Sequence, residues 1–208
     1  MSGTGPQNSV VERLVAARVV PVLRLPSAKL TERAVEHLLE AGFPAVEITM
    51  TTPGAVDLIA RLKDRCLVGA GTVLDLAAAK RCLDAGARFL VSPCAVKDLP
   101  AVAREAGAAS LLAGFTPAEV LAAHREGADI VKLFPASSGG PAHLAAIRSV
   151  FPDIKLCPTG GVSAENMDEY FRAGATLVGV GNAILPLEAL KKGDGEAVKA
   201  HAAGFLKR

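Results

Sequence analysis

Glu126-Gly127-Ala128-Asp129-Ile130-Val131-Lys132-Leu133-Phe134-Pro135 contains one complete junction of a pattern that repeats along the chain. Four large apolar residues and a terminating proline surround a single lysine. A run this short and apolar reads as a strand buried on both faces, as in a parallel sheet. Ahead of it, Glu126-Gly127 reads as a helix end with a glycine C-cap. The same glycine stop precedes a strand at Gly42, Gly86, Gly107 and Gly174. Working outward, strands are expected near 19–23, 45–49, 67–71, 89–93, 110–114, 130–135, 155–159 and 177–181. Their starts lie about 20–26 residues apart, one strand-helix unit per repeat.

The helices between them carry their own signals. Asn8 or Ser9 can cap an N-terminal helix over 8–18. Further helices are expected over 30–40, 54–63 and 75–84, and another ends at Ala106-Gly107. Thr116-Pro117-Ala118-Glu119 is a capping box with proline at the first helical position. Ser163 is placed as the cap of a helix ending at Ala173-Gly174, and the last helix covers 196–206. Eight alternating units, each strand followed by a helix, define an α/β fold: a (β/α)8 TIM barrel with an extra N-terminal helix, a single domain over 1–208. The competing layout, an open doubly wound sheet, normally uses five or six strands.

Composition narrows the function classes. Half of the 208 residues are apolar, 4% are aromatic and the net charge is +2. Without a basic run or aromatic-interleaved patch, there is no electrostatic footprint for nucleic acid. No apolar run approaches the roughly 20 residues needed to span a bilayer. The first eight residues lack the charged and apolar regions of a signal peptide, so a cytoplasmic location is expected. Cys66, Cys82, Cys94 and Cys157 form no CxxC pair, and His37, His124, His143 and His201 have no metal-ligand spacing; no metal is expected.

In a barrel of this kind the chemistry sits at the C-terminal ends of the strands. Polar residues in or just past those ends are Arg24, Glu47 with Thr49 and Thr51, Thr72, Ser92, Lys132, Thr159 and Asn182. Lys132 and Glu47 are charges inside otherwise apolar strands, where a charge is rare unless paired or neutral. The two can neutralise each other in a core, or snorkel to water. Their placement in two separate barrel strands favours a nucleophile beside an acid/base. Desolvation favours a neutral amine, and a neutral amine attacks carbonyls to give a Schiff base. Thr159-Gly160-Gly161-Val162-Ser163 and Gly179-Val180-Gly181-Asn182 follow the seventh and eighth strands, where barrels commonly hold a phosphate. Cys157 and Cys94 read as wall residues, and Lys155 as solvated at the far end of its strand.

Glu47-Ile48-Thr49, Gly69-Ala70-Gly71-Thr72-Val73, Val91-Ser92-Pro93, Lys132-Leu133-Phe134-Pro135 and Pro158-Thr159-Gly160-Gly161-Val162 occur in one order along the chain. In that order they resemble the 2-keto-3-deoxy-6-phosphogluconate aldolases, a family that includes 4-hydroxy-2-oxoglutarate aldolase activity. The resemblance implies a class I aldolase, with no metal or other cofactor, acting on a small 2-keto-3-deoxy sugar acid. It assigns Lys132 as the Schiff-base lysine and Glu47 as the acid/base. Thr72 would take the pyruvate carboxylate, Pro93 and Phe134 would wall the pyruvyl pocket, and Gly160, Gly161 and Gly181 would hold the phosphate, with Thr159 also on the substrate. The products would be pyruvate and glyceraldehyde 3-phosphate, and the family is typically trimeric.

Three departures from the pattern stand out. Some members carry an arginine after the Glu strand; here the segment reads Thr49-Met50-Thr51-Thr52, and Val22-Leu23-Arg24 matches the members that place it after the first strand, so Arg24 is assigned to the substrate carboxylate. The family's usual serine after strand eight is Asn182. The loop Ala113-Gly114-Phe115-Thr116 is one residue short and lacks a proline. These bear on the aldehyde partner, with 4-hydroxy-2-oxoglutarate and the galactonate epimer as alternative substrates.

Overall fold

The computed structural model describes residues 6–206. Eight parallel strands alternate with helices, in the sheet order β7-β6-β5-β4-β3-β2-β1-β8. The strands are β1 (Val19–Leu23), β2 (Ala45–Thr49), β3 (Leu67–Gly71), β4 (Phe89–Ser92), β5 (Ala109–Gly114), β6 (Ile130–Leu133), β7 (Leu156–Pro158) and β8 (Val178–Val180). The helices are α1 (Pro6–Ala17), α2 (Ala28–Glu40), α3 (Ala55–Leu62), α4 (Leu76–Asp84), α5 (Leu99–Glu105), α6 (Pro117–Arg125), α7 (Gly140–Val150), α8 (Met167–Arg172), α9 (Leu187–Lys192) and α10 (Gly195–Ala203). The barrel expectation holds, and its seam is visible. Where β7 meets β8 a single bridge joins Thr159 to Gly179, supported by Thr176, whose N–H donates to the Leu156 carbonyl at 2.8 Å. Glycine is required at 179 because a Cβ there would lie 2.4 Å from the Thr159 hydroxyl.

The five glycine stops read from the sequence all adopt positive φ, the left-handed conformation in which a Cβ is costly. The Thr116 capping box forms as expected, its hydroxyl accepting from the Glu119 N–H while the Glu119 carboxylate accepts from the Thr116 N–H. Four local expectations change. Helix α1 already includes Pro6, which puts Asn8 and Ser9 inside its first turn instead of at its cap, as proline favours the start of a helix. Arg18, expected as its last residue, instead turns left-handed and lays its guanidinium over the Phe171 ring at 4.2 Å. The helix before Gly174 starts at Met167 with Asn166 ahead of it, so Ser163 is not its cap. Finally, the expected last helix is α10, ending at Ala203, and an additional helix, α9, precedes it and stops at left-handed Gly193.

Two apolar layers result from the strand period of two. One packs the outer strand faces against the helices, with Leu38, Ile48, Leu58, Leu90, Leu112 and Val131 fully buried. The other fills the barrel with Val20, Leu67, Phe89, Leu111, Ile130 and Leu177. Helix α1 contributes Val10, Val11 and Leu14 to this inner layer, closing the N-terminal mouth. Strand β3 is bare on its inner face at Gly69, and the Phe89 ring fills that room; a Cβ there would lie 2.3 Å from it. The lower barrel is therefore filled by apolar side chains, and among the described residues the polar inner positions lie toward the C-terminal ends of the strands.

Candidate active site

Glu47 and Lys132 sit where the apolar barrel interior meets an open cleft of about 560 Å³ at the C-terminal mouth. They are 4% and 6% exposed, so each is a charged side chain almost wholly inside the protein. None of the ion pairs among the described residues joins them. The Lys132 ammonium instead lies 5.0 Å from the centroid of the Phe134 ring. Burial pushes the Glu47 carboxyl above its ordinary value of 4.5, opposed by the positive charges of Lys132 and Arg24. A carboxyl raised in this way is easier to protonate than an ordinary one, which suits a group that must both give and take a proton. Gly71 creates its seat: a Cβ on that residue would come within 1.8 Å of Glu47 Oε1.

The remaining walls come from six strand ends. Arg24 extends from the end of β1 and donates to the Thr72 hydroxyl at 3.4 Å. Thr72 holds a left-handed backbone, φ 59, at the turn after β3. Pro93 and Phe134 face the same cleft, as do Thr159, Gly160, Gly161, Gly181 and Asn182. Glu47, Lys132 and these nine residues thus line one space, while three other polar candidates from the strand ends, Thr49, Thr51 and Ser92, lie outside it. The Thr49 hydroxyl donates to the Leu23 carbonyl and contacts Thr51, while Ser92 is buried in a turn with Cys94. Cys157 forms part of the floor beneath the cleft; burial raises its thiol to about 11, so it stays protonated and acts as wall. Val162 and Ser163 line the cleft as part of the glycine loop already singled out, while Val22 and Ala183 also line it and carry no chemical signal by which sequence could single them out.

The loop after β5 lies behind this space. Phe115 stacks on His143, with ring centroids 4.4 Å apart, and lines a separate cleft across Pro93 and Phe134. Phe115 therefore belongs to the neighbouring cleft, which shares Pro93 and Phe134 with the main one.

The sequence model of the KDPG and KHG aldolases matches residues 10–201. The chain belongs to this aldolase family. The family comprises pyruvate-dependent carbon-carbon lyases, and its members agree with the chain along nearly their whole length. A probable 2-dehydro-3-deoxy-6-phosphogalactonate aldolase of Rhizobium meliloti is 36% identical, covering 80% of this chain and 81% of its own. A 2-dehydro-3-deoxy-phosphogluconate aldolase of Pseudomonas aeruginosa is 35% identical over 92% and 89%. Among solved structures, the KDPG aldolase of Legionella pneumophila, with pyruvate captured as a covalent carbinolamine, superposes with a TM-score of 0.85 at 29% identity, covering 97% of this chain and 98% of its own.

Proposed function

We propose that this chain is a class I aldolase that cleaves 2-keto-3-deoxy-6-phosphogluconate reversibly to pyruvate and glyceraldehyde 3-phosphate through a Schiff base on Lys132. The observation that carries this reading is the pairing of a buried amine and a buried carboxyl, not joined as an ion pair, at the foot of an open cleft. The Lys132 amine adds to the C2 carbonyl, forming the N–C bond and a carbinolamine; loss of water gives the iminium. Removal of the C4 hydroxyl proton then lets the C3–C4 electron pair flow into the iminium, releasing the aldehyde and leaving an enamine. Protonation at C3 and hydrolysis return pyruvate and the free amine. Glu47 moves the protons in each step.

Arg24 and Thr72, hydrogen-bonded to each other in the same cleft as Lys132, suit the C1 carboxylate. Backbone of Gly160, Gly161 and Gly181, with the Asn182 amide, suits the phosphate at the far end. A cytoplasmic homotrimer without metal belongs to the same reading by family resemblance. The galactonate epimer is the second substrate reading, favoured by the identity to the Rhizobium meliloti relative.

Borohydride reduction in the presence of pyruvate is expected to add one reduced pyruvyl group and inactivate the enzyme, with peptide mapping placing it on Lys132. An adduct on another residue, or none on folded protein, would remove the Schiff base from Lys132.

Gly71→Ala offers an independent check on Glu47. The added methyl displaces the carboxyl, so kcat is expected to fall about 100-fold, the scale of an ångström misplacement, with the acid limb of the pH profile shifted. Unchanged kcat and pH profile would show that the carboxyl's position is immaterial.

A further inference from the structure

The loop after β7 is held at three successive carbonyls. Thr159 C=O accepts from the Ala136 N–H at 2.8 Å, and Gly160 C=O accepts from the Ser137 N–H at 2.9 Å. The Gly161 carbonyl accepts from Asn166 Nδ2, also at 2.9 Å. Asn166 Oδ1 in turn accepts from the Ser163 N–H at 2.9 Å. One side-chain amide therefore spans the loop, using its donor end on one side and its acceptor end on the other. The orientation is fixed by chemistry, since a carbonyl can only accept and an N–H can only donate. Gly160 and Gly161 both stand at positive φ, 90° and 80°. Among the described residues, nothing accepts from the Gly161 or Val162 N–H.

Capping does not account for Asn166. It occupies the position before α8, yet its side chain makes no bond to the N–H groups of that helix. Nor is it among the residues that line the cleft. Its two bonds go to the glycine loop alone, and Ser137 closes the opposite side, lying 2.5 Å from where a Gly161 Cβ would be.

We infer that Asn166 is a positioning residue: it fixes the Gly161–Ser163 loop, whose unbonded Gly161 and Val162 N–H groups belong to residues lining the cleft, and so sets the enzyme's preference for a phosphorylated substrate. This rests on the phosphate reading of that loop given above. The carboxylate of Asn166→Asp keeps the acceptor for the Ser163 N–H but sets a negative charge against the Gly161 carbonyl. Asn166→Ala removes both bonds.

The test is steady-state kinetics of wild type and both variants on 2-keto-3-deoxy-6-phosphogluconate and on 2-keto-3-deoxygluconate, with thermal unfolding of each. Asn166→Ala is expected to raise KM for the phosphorylated substrate about tenfold, with kcat little changed and the unphosphorylated substrate unaffected. Asn166→Asp is expected to do the same or worse, and it serves as the second variant if alanine fails to fold. Equal losses on both substrates, or an unchanged KM on the phosphorylated one, would overturn the inference while a wild-type preference for phosphate kept the underlying reading. A wild type indifferent to the phosphate would overturn that reading, and the role of Asn166 with it.

Discussion

Lys132→Arg is expected to fold normally and to lose turnover by a factor on the order of 10⁵ or more, the scale seen when a covalent nucleophile is removed. Arginine keeps the positive charge and a long stem, so it can still lie near the Phe134 ring and face Glu47. What it cannot do is attack a carbonyl, because the guanidinium stays protonated throughout the working pH range. The substitution therefore separates electrostatics from nucleophilicity, which alanine does not. The decisive assay follows pyruvate release from 2-keto-3-deoxy-6-phosphogluconate, with circular dichroism and thermal unfolding as controls for the fold. Binding of the substrate is expected to survive, since Arg24, Thr72 and the two glycine loops are untouched. Activity within about tenfold of wild type would rule out the covalent route. It would favour a phosphate-binding barrel enzyme, such as an isomerase, that needs no lysine in the sixth strand.

Much of this molecule could be read before its structure because the informative features are local. A glycine stop two to four residues before an apolar run is decided by the backbone needs of a helix end, and all five such glycines are left-handed in the fold. Repetition of that unit leaves few topologies, and strand period then assigns faces. Arg24, Glu47, Lys132, Thr159 and Gly181 fall on the barrel's inner side because each stands at an even step from an inward apolar residue. Features that depend on distant partners were not readable. Helix α1 was legible as a helix, but nothing in residues 8–18 says that Val10, Val11 and Leu14 close the barrel mouth. The role of Gly71 depends on a carboxyl 24 positions earlier in the chain, across a strand pair. Asn166 was hidden for a related reason. Ser163 and Asn166 have comparable N-cap chemistry, and only the turned loop shows that the amide, not the hydroxyl, does the bridging. Helix α9, six residues long, is too short for periodicity to mark.

Glu47→Gln is expected to slow catalysis and, at the same time, to stabilise the protein above acid pH. As the group that moves protons, Glu47 should contribute about 10²–10⁴ to kcat, the usual range for a positioned acid/base. Glutamine keeps the shape, and with it the fit against Gly71, but cannot exchange a proton. The stability effect follows from burial. Because the folded chain holds this carboxyl above 4.5, protonated Glu47 is favoured in the folded state relative to the unfolded one. Between 4.5 and the raised value the unfolded chain binds fewer protons than the folded chain, so stability falls as pH rises through that window. Above it, wild type carries the full cost of a buried charge that Lys132 and Arg24 only partly offset. Glutamine carries no such charge. Its melting temperature should therefore exceed that of wild type at pH 8, and the gap should close at pH 4, where Glu47 is protonated in both states. Thermal unfolding of the two proteins across that range measures the effect directly. A glutamine variant less stable than wild type at pH 8 would mean that attraction to Lys132 and Arg24 outweighs desolvation, and that the carboxyl is a structural anion. An active site that is costly to fold and lost with one amide substitution is what a buried acid/base predicts, and a core ion pair would give the opposite sign.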